Sequence, residues 1–132
     1  MKIGVVSDTH GLLRPEVAPA LRGVERILHL GDVGDSFILK ALEKIAPVHA
    51  VRGNVDRIGA CSRLPETDVL LIEGHYIYML HNIDTLRLDP AAAKLAVVTR
   101  TSRRSGGPRE FCTSIPAPAA LGDFICRSRW VC

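Results

Sequence analysis

One pattern repeats three times in the first part of the chain and constrains the fold more than any other feature. An apolar run ends in a short polar loop that contains glycine, and the stretch between consecutive runs is typical of a helix. The predicted strands that contain these apolar residues cover residues 3–6, 25–30 and 47–51. Short apolar runs bounded by glycine and polar residues predict buried strands. Strands that alternate with helices predict a parallel sheet with right-handed crossovers, so we expect an α/β fold.

The remaining elements follow from helix and turn signals. The first predicted helix begins at Pro15, continues over residues 16–22 and ends at Gly23. The second covers residues 36–46, with Ser36 as its cap. After the third loop the rhythm changes: residues 68–73 and 75–80, on either side of Gly74, predict a β-hairpin. A short helix over 90–94 and a strand over 95–98 complete the pattern.

Length and composition are those of one globular domain. The chain has 132 residues, of which 47% are apolar and 23% charged, which is enough to bury one core. It has no apolar run long enough for a membrane span, and its first residues lack the pattern of a signal peptide. We therefore expect a cytoplasmic protein without a membrane partner.

Charge and cysteine usage divide the chain near residue 98. Residues 1–98 hold 12 acidic and 11 basic side chains, whereas residues 99–132 hold 2 acidic and 6 basic ones. Three of the four cysteines also lie in that second part, and their spacing fits no zinc pattern. The net charge of +3 therefore comes from the tail and does not indicate a specific nucleic-acid surface on the body.

Polar side chains follow each predicted strand. Asp8 and His10 follow the first, Asp32 the second and Asn54 the third, and His81 follows the hairpin. The carboxyl ends of parallel strands share one edge of a sheet, where ligands bind. Taken singly these residues have ordinary roles, such as capping a turn or filling a core. As an ordered set they predict a metal centre, because carboxylate, imidazole and amide groups together suit manganese, iron or zinc.

The same residues carry a resemblance to a known family. The chain resembles the calcineurin-like metallophosphoesterases, in their small bacterial and archaeal phosphodiesterase branch. The resemblance covers about residues 1–98 and rests on Ser7-Asp8-Thr9-His10-Gly11, His29-Leu30-Gly31-Asp32, Arg52-Gly53-Asn54-Val55-Asp56 and Leu80-His81. It implies a layered α/β/β/α sandwich. It also implies a hydrolase in which a hydroxide bridging two metal ions attacks a small phosphodiester.

The resemblance also assigns roles to individual residues. Asp8 and His10 would hold one ion, Asn54 and His81 the other, and Asp32 would bridge them, so that Asp32 and Asn54 belong to the catalytic machinery. Manganese is the expected metal, with nickel, iron(II), zinc and magnesium as alternatives. Larger relatives have a proton-donating histidine directly after the asparagine, where this chain has Val55. Arg52 and Asp56 are close enough in sequence to bind substrate or to position the ligands.

The chain departs from the family after Val98. The family has Gly-His-Ser/Thr-His there, which supplies one ligand to each metal, and later Asn-Pro-Gly-Ser. This chain has no histidine beyond His81. If residues 97–102 are encoded GTG GTC ACT CGC ACA TCC, reading from the third base gives Gly-His-Ser-His-Ile. In that frame residues 111–118 can encode Leu-Tyr-Leu-Asn-Pro-Gly-Ser.

A shifted reading frame is therefore our hypothesis for the tail. It makes residues 1–98 an incomplete metallophosphoesterase domain and residues 99–132 an aberrant, irregular tail. The final strands of the fold would then be missing or disordered, with reduced stability and a tendency to aggregate. The alternative is a tail that has genuinely diverged.

Two other functions compete with hydrolysis. The first is a non-catalytic scaffold of the same fold with a degraded metal site, which the missing histidines favour and the five remaining ligands do not. The second is a doubly wound nucleotide-binding domain. It is disfavoured because residues 31–34 lack the glycine-rich fingerprint.

Overall fold

Two sheets form the frame of the molecule. In a computed structural model of the chain, which describes residues 1–100 and 124–125, the first sheet has the strand order β3-β2-β1-β7. Its neighbouring strands all pair in parallel. The strands are β1 (Ile3–Val6), β2 (Arg26–His29), β3 (Val48–Ala50) and β7 (Phe124–Ile125).

Two helices connect the first three strands. The first, α1, is a single turn over Val17–Ala20, shorter than predicted. The Arg22 amide bonds to the Pro19 carbonyl 3.2 Å away, which tightens the last turn ahead of Gly23, where φ is +77°. The second helix, α2, covers Ser36–Glu43. The prediction of Ser36 as its cap was wrong: the cap is Asp35, whose carboxylate accepts a hydrogen bond from the Phe37 amide at 3.0 Å.

The second sheet contains the predicted hairpin. It has the order β4-β5-β6, with β4 (Thr67–Ile72) antiparallel to β5 (His75–Asn82) and β6 (Leu95–Arg100) parallel to β5. The hairpin turn is Glu73-Gly74, and both residues have positive φ, as tight two-residue turns require. His81 lies inside β5 and not after it, because pairing with β6 continues as far as Asn82.

Three short helices complete the described part. Two are 3₁₀ turns that the sequence pattern did not predict, at Ala60–Arg63 and Ile83–Thr85. The third, α3 (Pro90–Ala93), was predicted and packs against β6.

Two apolar clusters hold the layers together. The first lies between the helices and the first sheet and includes Ile27, Ile38 and Leu42, each without solvent exposure. The second lies between the two sheets and includes Leu28, Ile77 and Met79. At about 25 cal/mol per Å² of apolar surface, such burial is the main stabilising contribution. The predicted layered α/β fold is confirmed, with helices against the first sheet and the two sheets face to face.

The part of the chain after Val98 is described only in part. Strand β6 continues to Arg100, beyond the predicted boundary at residue 98. Phe124–Ile125 pairs with β1, so two residues of the segment predicted to be irregular form a strand. The rest of the predicted tail, residues 101–123 and 126–132, lies outside the described residues. Within the described part, no helix combines the length and apolarity that a membrane crossing requires.

Candidate metal centre

The carboxyl edge of the first sheet carries most of the predicted site. Asp8 and His10 lie in the loop after β1, Asp32 follows β2, and Asn54 lies in the loop after β3. The second sheet supplies His81 from β5. Its Nδ1 lies 2.6 Å from the Leu30 carbonyl oxygen, at the end of β2. The topology therefore brings residues far apart in sequence to one place.

Asp32 lies at the centre of this group. Its Oδ2 is 3.8 Å from His10 Nε2 and 3.4 Å from His81 Nε2. His10 Nε2 is also 3.8 Å from Asp8 Oδ1, and His81 Nε2 is 3.1 Å from Asn54 Oδ1. Candidate ligand atoms of Asp8, Asp32 and His81 all lie within 4.8 Å of one another. The structure thus brings the five predicted ligands together, and their roles stay predictions.

The centre has a buried floor and an open side. Asp32 is 2% exposed and His81 is 7% exposed. The His10 side chain, in contrast, is half exposed and Asn54 is exposed. A small solute would therefore approach from the side of His10 and Asn54.

The orientation of His81 tests whether the group suits a cation. Its Nδ1–H donates to the Leu30 carbonyl, so in the neutral ring Nε2 carries a lone pair. That lone pair faces two oxygen acceptors, Asn54 Oδ1 and Asp32 Oδ2. A metal-ligating histidine typically donates the N–H of its second ring nitrogen to a carbonyl in this way. A cation bound between His81 Nε2 and the two oxygens would be attracted by all three lone pairs. The residues present therefore fit a divalent metal ion.

The backbone at the site is not extended. Asp8, His10 and Asp32 have φ of +55°, +47° and +55°, in the left-handed region. Side chains two apart would share a direction in a strand, whereas here a turn brings them together. Left-handed backbone at residues other than glycine is unfavourable and is concentrated at functional sites.

Hydrogen bonds between the first two loops hold this backbone in place. The amides of Asp8, His10 and Gly11 donate to the carbonyls of residues 31, 32 and 33 at 3.0, 2.9 and 2.7 Å. Close packing of the loops also requires Gly31, where φ is +93°. A Cβ there would lie 2.6 Å from the Gly53 nitrogen and 2.8 Å from His81 Nδ1.

Asp56 links the second and third loops. Its carboxylate accepts hydrogen bonds from the amides of Gly34, Gly53 and Val33 at 2.9, 2.9 and 3.1 Å. Burial alone would raise the pKa of Asp56, but the three amide donors outweigh it and hold the pKa below its usual value. Asp56 thus links two of the loops that carry proposed ligands, and its role in positioning ligands or binding substrate stays a prediction.

Arg52 is engaged away from the centre. Its guanidinium pairs with the Glu66 carboxylate and donates to the Ser62 carbonyl at 3.4 Å. A role for Arg52 in substrate binding stays a prediction.

Two residues beside the proposed ligands, His29 and Thr9, have no role in the sequence pattern. His29 is fully buried at the end of β2, and Thr9 lies between Asp8 and His10. Thr9 Oγ1 is 3.1 Å from His29 Nε2. The available signal was a histidine directly after Ile27 and Leu28 in a strand, three residues before Asp32.

Comparison with known proteins supports one family. The sequence profile of the calcineurin-like phosphoesterase superfamily domain matches residues 1–105. A probable metallophosphoesterase of Methanothermobacter thermautotrophicus is 41% identical over 86 residues, which are 61% of this chain and 49% of the relative. A second, from Methanocaldococcus jannaschii, is 38% identical over 86 residues and is covered over 43% of its length. The chain thus spans about half the length of these archaeal relatives.

The fold resembles that of Vps29. Zinc-bound wild-type Vps29 of Entamoeba histolytica superposes with a TM-score of 0.57 at 22% identity, covering 75% of this chain and 63% of that one. The match to the family profile extends over most of the present sequence, including all five predicted ligands. The chain therefore belongs to the calcineurin-like phosphoesterase superfamily.

Proposed function

We propose that this protein is a metal-dependent phosphodiesterase that acts on a small phosphodiester. The observation that carries the proposal is the group of acceptor atoms around Asp32 Oδ2, with His81 fixed by its bond to Leu30. The proposed ligands of one ion are Asp8 and His10. Those of the second are Asn54 and His81, and Asp32 is shared by both.

The position of Asp32 suits a shared ligand. Its Oδ2 lies between the two imidazoles, while its Oδ1 accepts a hydrogen bond from the Val55 amide at 3.1 Å. That bond fixes the plane of the carboxylate, so little reorganisation would accompany binding. Two divalent ions, when bound, supply a hydroxide nucleophile at neutral pH and stabilise charge on the phosphoryl oxygens. Asn54 lies at the exposed side, where its amide would meet the incoming phosphoryl group.

The metal is proposed to be manganese, although the donor set suits several ions. Carboxylate and amide oxygens favour hard cations, and imidazole nitrogen favours nickel, iron and zinc. Vps29 of Entamoeba histolytica, which shares the fold, has been crystallised with Zn²⁺.

The leaving group decides which test substrate is suitable. Val55 is 42% exposed at the position directly after Asn54, and its side chain cannot donate a proton. A phosphodiester whose leaving group departs as an anion needs no general acid. Bis(4-nitrophenyl) phosphate has such leaving groups and is therefore a suitable test substrate.

The experiment measures hydrolysis of this substrate by the full chain with and without Mn²⁺. We expect manganese-dependent turnover that Asp32→Asn abolishes. Glu43→Gln, an exposed carboxylate at the far end of α2, serves as the control and should retain wild-type activity. Equal turnover by the Asp32→Asn variant and the wild type would contradict the proposal.

A second candidate is a non-catalytic scaffold that keeps the fold but does not turn over substrate. The sequence favours it in one respect: no histidine follows His81, so the family's last two metal ligands are missing. A chain that binds no metal and hydrolyses nothing, yet folds cooperatively, would support the scaffold.

The proposed frame shift after Val98 can be tested directly. Sequencing the gene across the codons for residues 90–100 would reveal an inserted or lost base relative to close relatives. A second chain with the shifted frame restored should bind metal more tightly, because it regains Gly-His-Ser-His. An intact frame in the gene would refute the shift.

A further inference from the structure

We propose that Thr9, together with His29, is a positioning residue that sets the directions of the two ligands on either side of it, Asp8 and His10. The inference rests on the metal site proposed above and adds residues to which neither the family match nor the motif comparison assigns a role. It follows from the hydrogen bonds of the partly buried Thr9 hydroxyl group.

The roles of donor and acceptor in this group are fully determined. The Gly31 amide donates to His29 Nδ1 at 3.2 Å, so the proton of the neutral ring is on Nε2. His29 Nε2–H then donates to Thr9 Oγ1 at 3.1 Å. The Thr9 hydroxyl in turn donates to the Val33 carbonyl at 3.0 Å. The chain of bonds therefore runs from the loop after β2, through His29 and Thr9, and back to the same loop.

Burial makes this chain of bonds rigid. His29 is 0% exposed, and its burial lowers its pKa to about 4, which keeps the ring neutral. Removing the hydroxyl would leave the buried His29 Nε2–H without this acceptor, whereas the Val33 carbonyl would keep the Gly11 amide as a donor. Because losing these hydrogen bonds would be unfavourable, they hold Thr9 in one position.

The position of Thr9 determines the site because its neighbours are strained. Asp8 and His10 both have left-handed backbone, which persists only where surrounding contacts hold it. The Thr9 side chain is turned towards His29 and Val33, while Asp8 and His10 converge on Asp32. Holding the central residue thus fixes both ligands at once.

The test compares Thr9→Val with Thr9→Ser. Valine has the shape of threonine without the hydroxyl, whereas serine keeps the hydroxyl and loses only a methyl group. We expect Thr9→Val to weaken Mn²⁺ binding about 10- to 100-fold by calorimetry, the usual effect of losing a group that orients metal ligands. Thr9→Ser should bind within a fewfold of wild type. Ile38→Val removes a methyl group from the apolar cluster between the helices and the first sheet. It should lower stability and leave metal affinity unchanged.

A second measurement needs no metal. Amide hydrogen exchange in the metal-free protein should accelerate at His10 and Gly11 in Thr9→Val, while the amide of Ile27, bonded to Pro47, keeps its rate. If the wild type binds no Mn²⁺, the proposed function fails, and amide hydrogen exchange alone then tests the positioning role of Thr9. Unchanged exchange at His10 and Gly11, or Mn²⁺ binding by Thr9→Val equal to that of the wild type, would overturn the inference.

Discussion

Acidification below about pH 6.5 should destabilise this protein through His29. Burial lowers the pKa of His29 from 6.5 to about 4, with a smaller opposing effect of Asp56. As pH falls through 6.5 the unfolded chain takes up a proton at His29, while the folded chain does not until about pH 4. The histidine therefore lowers stability progressively across this window, and its cost is absent above it.

The magnitude follows from the pKa difference. Each pKa unit corresponds to about 1.4 kcal/mol, so the full loss is about 3 kcal/mol, of which about 2 kcal/mol is reached by about pH 5. For a domain of this size, with a stability of about 5–15 kcal/mol, that is a large fraction. Asp56 acts in a separate window, because its lowered pKa matters only below the usual carboxylate value of 3.8.

The assay is urea unfolding followed by circular dichroism at about pH 7 and about pH 5, on the wild type and on His29→Gln. Glutamine does not titrate, so the difference in pH dependence between the two proteins isolates His29 even if the variant is less stable overall. We expect the wild type to lose about 2 kcal/mol more than the variant on acidification. The same pH dependence in both proteins would refute the argument.

Three further predictions concern the loops and the second helix. Gly31→Ala should destabilise the protein at least twice as much as Gly23→Ala in urea unfolding. Both positions have positive φ, which costs an alanine about 1–2 kcal/mol. Of the two, only the new Cβ at position 31 would also meet neighbouring atoms. Equal losses would contradict the packing of the loops. Asp35→Ala should lower the free energy of unfolding by about 1 kcal/mol, because the cap of α2 is lost. An unchanged free energy of unfolding would show that Asp35 does not cap this helix. Imidazole ¹⁵N spectra of the metal-free protein at neutral pH should show His29 protonated at Nε2 and His81, where neutral, at Nδ1; the reverse tautomer at either ring would refute that part of the site.

Much of the fold was predictable because its signals are local. The apolar runs, the intervening helical stretches and Gly74 predict the parallel sheet and the hairpin, and the parallel order then places the polar loops on one edge. The ends of elements were less predictable. The end of β5 depends on its pairing with β6, and the cap of α2 depends on which of two neighbouring side chains reaches the Phe37 amide.

The site was predictable in composition but not in its supporting structure. In the sequence pattern, a predicted strand precedes each of the five proposed ligands, Asp8, His10, Asp32, Asn54 and His81. The left-handed backbone at Asp8 and His10, in contrast, arises from bonds to the loop after β2, more than twenty residues away. The roles of Thr9 and His29 likewise depend on a contact between two loops, which no local pattern encodes.

The five proposed ligands, with Asp32 at their centre, bind divalent metal ions if this interpretation of the site is correct. The most direct measurement is metal content after equilibrium dialysis of the full chain against Mn²⁺, with Asp32→Asn and Glu43→Gln dialysed in parallel. We expect two bound ions per chain in the wild type and in Glu43→Gln, and a large loss of bound metal in Asp32→Asn. A wild type without bound metal, or an Asp32→Asn variant that binds as much metal as the wild type, would contradict it.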